Sequence, residues 1–119
     1  MQYMLLCYAD EKGWEELGET QRGLIMDEYG AWAQAIVKSG HYRASAKLGP
    51  TSASTTLREK NGKRVTTDGP FAETREQLGG FHLVECKDLD EALAIAGRIP
   101  TLRAGGTVEV RPVEPSSAT

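Results

Sequence analysis

An α+β sandwich is the fold class that this sequence predicts, and three observations predict it. Segments with strand and helix character alternate as strand, helix, strand, hairpin, strand, helix, strand. Asn61-Gly62 lies between two β-rich runs and marks a tight hairpin inserted in the middle of the chain. The first strand, Gln2 to Tyr8, is apolar on both alternating faces, so its sheet is covered on both sides. With 119 residues, 39% apolar and 26% charged, the chain suits one globular domain. Residues 1–113 are assigned to it, and 114–119, EPSSAT, to a flexible tail.

Each element has a local reason. In "QYMLLCY", Tyr3, Leu5 and Cys7 point one way and Met4, Leu6 and Tyr8 the other. The polar stretch "ADEKGWEELGE" reads as turns anchored by Trp14 and Leu17. Ile25, Tyr29, Trp32, Ala33 and Ile36 then follow the rhythm of a helix face, and Gly40 is placed to stop that helix. Gly23 and Gly30 each cost that helix about 1 kcal/mol against alanine. "HYRASAKLG" reads as a weak strand and "GFHLVEC" as a strong one. Asp88 with Glu91 three residues on forms a capping box for a helix with Leu89, Ala92, Leu93, Ala96 and Ile99 on its face. Pro100 is expected to end it, and "TVEVRPV" is the last strand. The order is the βαββαβ layout of a ferredoxin-like sandwich with an inserted β-hairpin.

Two helices cover one face of such a sheet. The apolar second face, with Phe81 and Leu83 opposing His82 and Val84 on the next central strand, asks for a second copy of the chain. The expected assembly is a homodimer, sheet against sheet. Net charge is −3, from 14 basic and 17 acidic residues, which argues against nucleic acid as partner. No apolar run has the length to span a bilayer, and the N-terminal segment reads as a strand. A cytoplasmic protein with reduced Cys7 and Cys86 is expected. Two scattered histidines predict no metal site, and neither "GETQRG" nor "LGGFHL" has the context of a phosphate or cofactor loop, so no cofactor is expected.

Candidate chemistry concentrates in "VTTDGPFAETREQLGGFHLVE". One reading makes it a corner: Asp68 forms an Asx-type turn, Phe71 plugs the core, and Glu73 and Glu76 stand solvated on a short helical turn. The other makes it a pocket wall for a small organic ligand. Asp68 and Glu73 would then be acid–base groups in a cleft lined by Tyr8, Trp32 and Phe71. Aromatic walls would desolvate such carboxylates and raise their pKa. His82 could face a cavity on the dimer side and shuttle a proton; a packed core histidine is the plainer account. His41, just past a helix, reads as a cap.

"DGPF" at Asp68 to Phe71, followed by "AETREQLGGFHLVE", resembles the DGPF-domain branch of the YCII-related proteins. "YMLLCYAD", "MDEYGAWAQAI" and "GTVEVRPV" fit the same pattern. The resemblance implies a dimeric α+β barrel of ferredoxin-like subunits. It implies isomerase- or lyase-like chemistry, and genes that often lie beside those of extracytoplasmic-function sigma factors; the alternative to an enzyme is a non-catalytic ligand-binding or regulatory interaction module, linked to such a sigma factor. In the wider family a histidine on the first helix and a nearby aspartate form the acid–base pair. Here the helix from Gly23 to Gly40 carries no histidine, and His41 lies beyond its end.

Overall fold

A computed structural model describes residues 1–115. The tail expected at 114–119 lies, from residue 116 on, outside the described residues. In chain order the elements are β1 (Gln2–Ala9), α1 (Glu11–Glu16), α2 (Glu19–Lys38), β2 (Tyr42–Lys47), β3 (Thr55–Lys60), β4 (Lys63–Asp68), β5 (Gln77–Glu85), α3 (Leu89–Ala96), α4 (Pro100–Arg103) and β6 (Thr107–Pro112). Four strands form an antiparallel sheet in the order β2-β5-β1-β6, while β3 and β4 pair with each other as a separate ribbon. That is the ferredoxin-like arrangement with an inserted hairpin.

Register decides what each sheet residue does. Leu5 lies opposite His82 and Val110, Tyr3 opposite Val84, and Cys7 opposite Gly80 and Val108. Cross-strand partners share a face, so these residues all meet the helices. Tyr3, Leu5 and Val84 are buried there against Trp32 and Ile36 of α2 and Ala92, Ile95, Ala96 and Ile99 around α3. The Trp32 indole N–H donates to the Ile95 carbonyl at 3.0 Å, so the largest core side chain carries no unsatisfied donor. Met4, Leu6, Phe81 and Leu83 share the opposite face and are only partly buried.

The second helical region differs from expectation. Its buried stripe is Ala92, Ile95, Ala96 and Ile99, whereas Leu89 and Leu93 are exposed. The i, i+3, i+4, i+7 spacing of the small and β-branched residues lets α3 sit close to the sheet, which turns the leucines outward. Asp88 caps α3 as predicted, its carboxylate accepting from Glu91 N–H at 2.9 Å. Pro100 opens α4 at its first turn rather than ending α3, a position where its missing N–H costs nothing. The stretch "ADEKGWEELGE" holds a short helix, α1, capped by Asp10 on Lys12 N–H at 3.0 Å.

The hairpin turns at Asn61 (φ 52°) and Gly62 (φ 77°), both in the left-handed region that a two-residue turn requires. It stands away from the body. Of the β3 and β4 residues only Thr56 is even partly shielded from solvent. The radius of gyration is accordingly 16.4 Å, against about 13–14 Å for a compact chain of this length.

The joint between α4 and β6 leaves no room for a side chain. A Cβ on Gly106 would sit 2.5 Å from the Tyr8 carbonyl oxygen and 2.6 Å from Thr101 Cγ2. Gly106→Ala is expected to cost about 2 kcal/mol or more through backbone displacement. The check is urea unfolding, where the midpoint should fall at unchanged m-value.

Candidate functional site

At the end of the sheet where β1 runs into α1, the helices lift away and leave a cavity of about 720 Å³. Its walls follow from local geometry. Arg22, Met26, Tyr29, Gly30 and Ala33 recur along α2 at the spacing of one helical face and form the roof. Cys7, Gly80, His82, Ser45 and Lys47 come from the helix-facing side of β1, β5 and β2 and form the floor. Trp14 of α1 closes one side, with the Lys47 ammonium 5.3 Å from the centre of its ring.

Hydrogen bonds fix α1 over the mouth. Glu11 accepts from both the backbone N–H and the hydroxyl of Thr51 at 2.8 Å, and its own N–H donates to Gln77 Oε1 at 2.9 Å. Gln77 in turn donates to the Thr74 carbonyl at 2.5 Å. These bonds tie the α1 entrance to the root of the hairpin and to the start of β5.

His82 sits at the base of the cavity. Trp32 meets its ring edge-on with centroids 4.6 Å apart, and Tyr29 stacks at 6.5 Å. Burial holds the imidazole below the ordinary histidine value of 6.5, so the neutral ring prevails at neutral pH. Its Nδ1 is shut away from bulk solvent and has no hydrogen-bond partner among the described residues. Tyr29 and Thr101 share a hydroxyl–hydroxyl hydrogen bond at the same end. Burial raises the Tyr29 phenol above its ordinary value, with Cys7 adding to the effect and Thr101 opposing it. Burial also raises the Cys7 thiol. The site therefore offers a neutral base, a neutral phenol and a protonated thiol.

Of the six side chains singled out from sequence, the cavity brings together Tyr8 and His82. Trp32 is buried behind His82 and lines no part of the wall. Phe71 is 76% exposed and is not a core plug. Asp68, the last residue of β4, and Glu73 are exposed and stand outside the cavity. The short helical turn expected to carry Glu73 and Glu76 does not form; the chain runs through bends and irregular backbone from Gly69 to Glu76. His82 points to the helices rather than to the open sheet face, since its register matches Leu5. His41 links α2 to α3, with Nδ1 2.7 Å from Ser39 Oγ and Nε2 3.0 Å from Glu91.

The residues that sequence reasoning missed were marked by periodicity. Arg22, Met26, Tyr29 and Gly30 lie at i, i+4, i+7 and i+8. A Cβ on Gly30 would meet nothing within 4 Å. Among the described residues no group of three or more His, Cys, Asp or Glu is arranged to hold a metal ion. No helix among them is long and apolar enough to cross a membrane.

The low pKa of His82 has a consequence for stability. As pH falls below 6.5 the unfolded chain takes up a proton that the folded chain refuses. Stability should therefore decline from that point down to the folded-state pKa and level off beneath it. The wild-type minus His82→Asn difference in unfolding free energy, followed across this range, should carry that slope; a flat difference would refute the burial effect.

A model of the YCII-related domain matches residues 1–117 of the chain. An uncharacterised protein of Rhizobium meliloti (strain 1021) is 40% identical over 114 residues, which make up 95% of this chain and 92% of the relative.

Proposed function

The chain belongs to the YCII-related domain family, and from that premise we propose that it takes a small organic molecule into the cavity beneath α1 and α2 and moves a proton on it through His82. The observation that carries this reading is a neutral, aromatic-backed imidazole among the residues that line that cavity. The volume and apolar walls suit a small molecule.

A neutral imidazole can take a proton from carbon and return it elsewhere, which is an isomerisation, or take it as a leaving group departs, which is an elimination. The Tyr29–Thr101 hydroxyl pair is placed to donate to an oxygen on which negative charge develops. Asp68 and Glu73, given the acid–base role on sequence grounds, stand exposed outside the cavity, so that role passes to His82. The sequence Asp68-Gly69-Pro70-Phe71 supports placing the chain in the DGPF branch. The buried thiols Cys7 and Cys86 support a reducing, cytoplasmic setting.

The protein acts as a homodimer in this reading. Met4, Leu6, Phe81 and Leu83 form an apolar strip on the sheet face that carries no helix, and a second copy is the economical cover. Leu6→Arg is expected to shift the particle in light scattering from two chains to one while circular dichroism stays native. An unaltered dimer would move the interface off this face.

Proton transfer is tested with cyclopentanone, γ-butyrolactone and 4-oxopentanoate in heavy water, watching their C–H signals by NMR. Wild type should speed deuterium uptake into at least one probe by about a hundredfold, with an acid limb below pH 6.5, and His82→Gln should abolish the gain. Probes that shift the Tyr29, Ser45 and His82 resonances without exchanging would leave a binding module. Shifts at none of these residues would remove the site altogether.

A further inference from the structure

The β3–β4 ribbon is an arm with nothing in its own chain to lie on. Two-stranded hairpins are marginal in water unless packed against something. Its two faces follow from the pairing. Arg58 lies opposite Val65 and Lys60 opposite Lys63, which puts three cations and one valine on one face with no acid among them. Like charges directly opposite each other destabilise a ribbon. Among the described residues none of these three pairs with a carboxylate. The other face is balanced, with Glu59 opposite Arg64 and Leu57 59% exposed beside them.

An acidic counterpart exists in the same sequence. Between Asp10 and Glu19 there are five acids and one lysine. Asp10 and Glu11 are spent on capping α1 and holding Thr51. Glu15, Glu16 and Glu19 are exposed and unpaired among the described residues, and Glu15 stands on the cavity wall. The arm cannot reach them in its own chain. Glu11 grips Thr51 at the arm's root, so α1 sits at that root, whereas the six-residue strands carry the tip about 20 Å away.

We propose that the arm of each copy reaches across to the other, lays its Arg58, Lys60 and Lys63 face on the partner's Glu15 and Glu16 of α1 and Glu19 at the start of α2, and closes the mouth of the partner's cavity. A two-fold axis makes the exchange reciprocal, each root receiving the other's tip. Charge complementarity of three against three selects the second copy over a nucleic acid, which would compete with the acids beside it. The cavity of a single chain is then incomplete, and ligand entry is coupled to the lifting of a neighbour's arm. This inference rests on the dimer reading given above.

The test mixes ¹⁴N and ¹⁵N copies of the full chain and joins touching amines to carboxylates with a zero-length carbodiimide. Links from Lys60 or Lys63 to Glu15, Glu16 or Glu19 should appear in mixed-isotope pairs. Lys60→Glu with Lys63→Glu should weaken self-association about tenfold, and mixing with Glu15→Lys/Glu16→Lys copies should restore most of it. A wild-type dimer with such links absent, or confined to one isotope, overturns the arm's placement and leaves the sheet-face dimer standing. A wild-type monomer overturns both. Tight binding of a labelled single-stranded RNA, lost in the Lys60→Glu/Lys63→Glu variant while the links are missing, would assign the arm to nucleic acid instead.

Discussion

Trp32 is the joint on which the molecule turns. It fills the space between α2 and the sheet, donates its only side-chain polar hydrogen to the Ile95 carbonyl in the last turn of α3, and meets the His82 ring edge-on. One side chain thus fixes the spacing of both helices over the strands and the orientation of the imidazole. A smaller apolar residue would leave a void, release the Ile95 carbonyl and free the histidine together. Structural and chemical roles are coupled here because the same packing that seals the core also desolvates the base.

That coupling explains how the cavity exists beside a well-filled core. Trp32 and Ile36, in the C-terminal half of α2, lie against the sheet. Toward its N-terminus the helix presents Tyr29, which reaches His82 and Thr101 at the inner end of the cavity, and then Met26 and Arg22, which line its roof. The short α1, pinned by Glu11 and Gln77, closes over the gap rather than filling it. A sheet end that would otherwise have been core becomes a lined chamber.

The fold was legible in the sequence because its signals are periodic. The faces of β1, the rhythm of α2, the Asp88 cap and the Asn61-Gly62 turn each have a local cause that no distant contact overrides. The site was legible only in part. The DGPF stretch drew attention because turn residues and carboxylates cluster there, but it follows a hairpin that leaves the body, so Phe71 and Glu73 go with it into solvent. Whether an inserted hairpin folds back or stands free depends on tertiary contacts that alternation along two strands does not encode. The face taken by His82 was open for a related reason: it depends on register with β1, and a shift of one residue would have reversed it. The exposure of Leu89 and Leu93 reflects a rotation of α3 that leucine-weighted patterns miss.

Gly30 occupies the roof of the chamber in the middle of a long helix, with open space where a side chain would go. The helix gives up about 1 kcal/mol to keep it, and the methyl of an alanine there would enter the chamber without meeting another atom within 4 Å. That makes the position a tuning screw. Relatives could narrow or reshape what they admit through one codon, gaining helix stability as they do so, and a family built this way could diversify its ligands while its scaffold stayed unchanged.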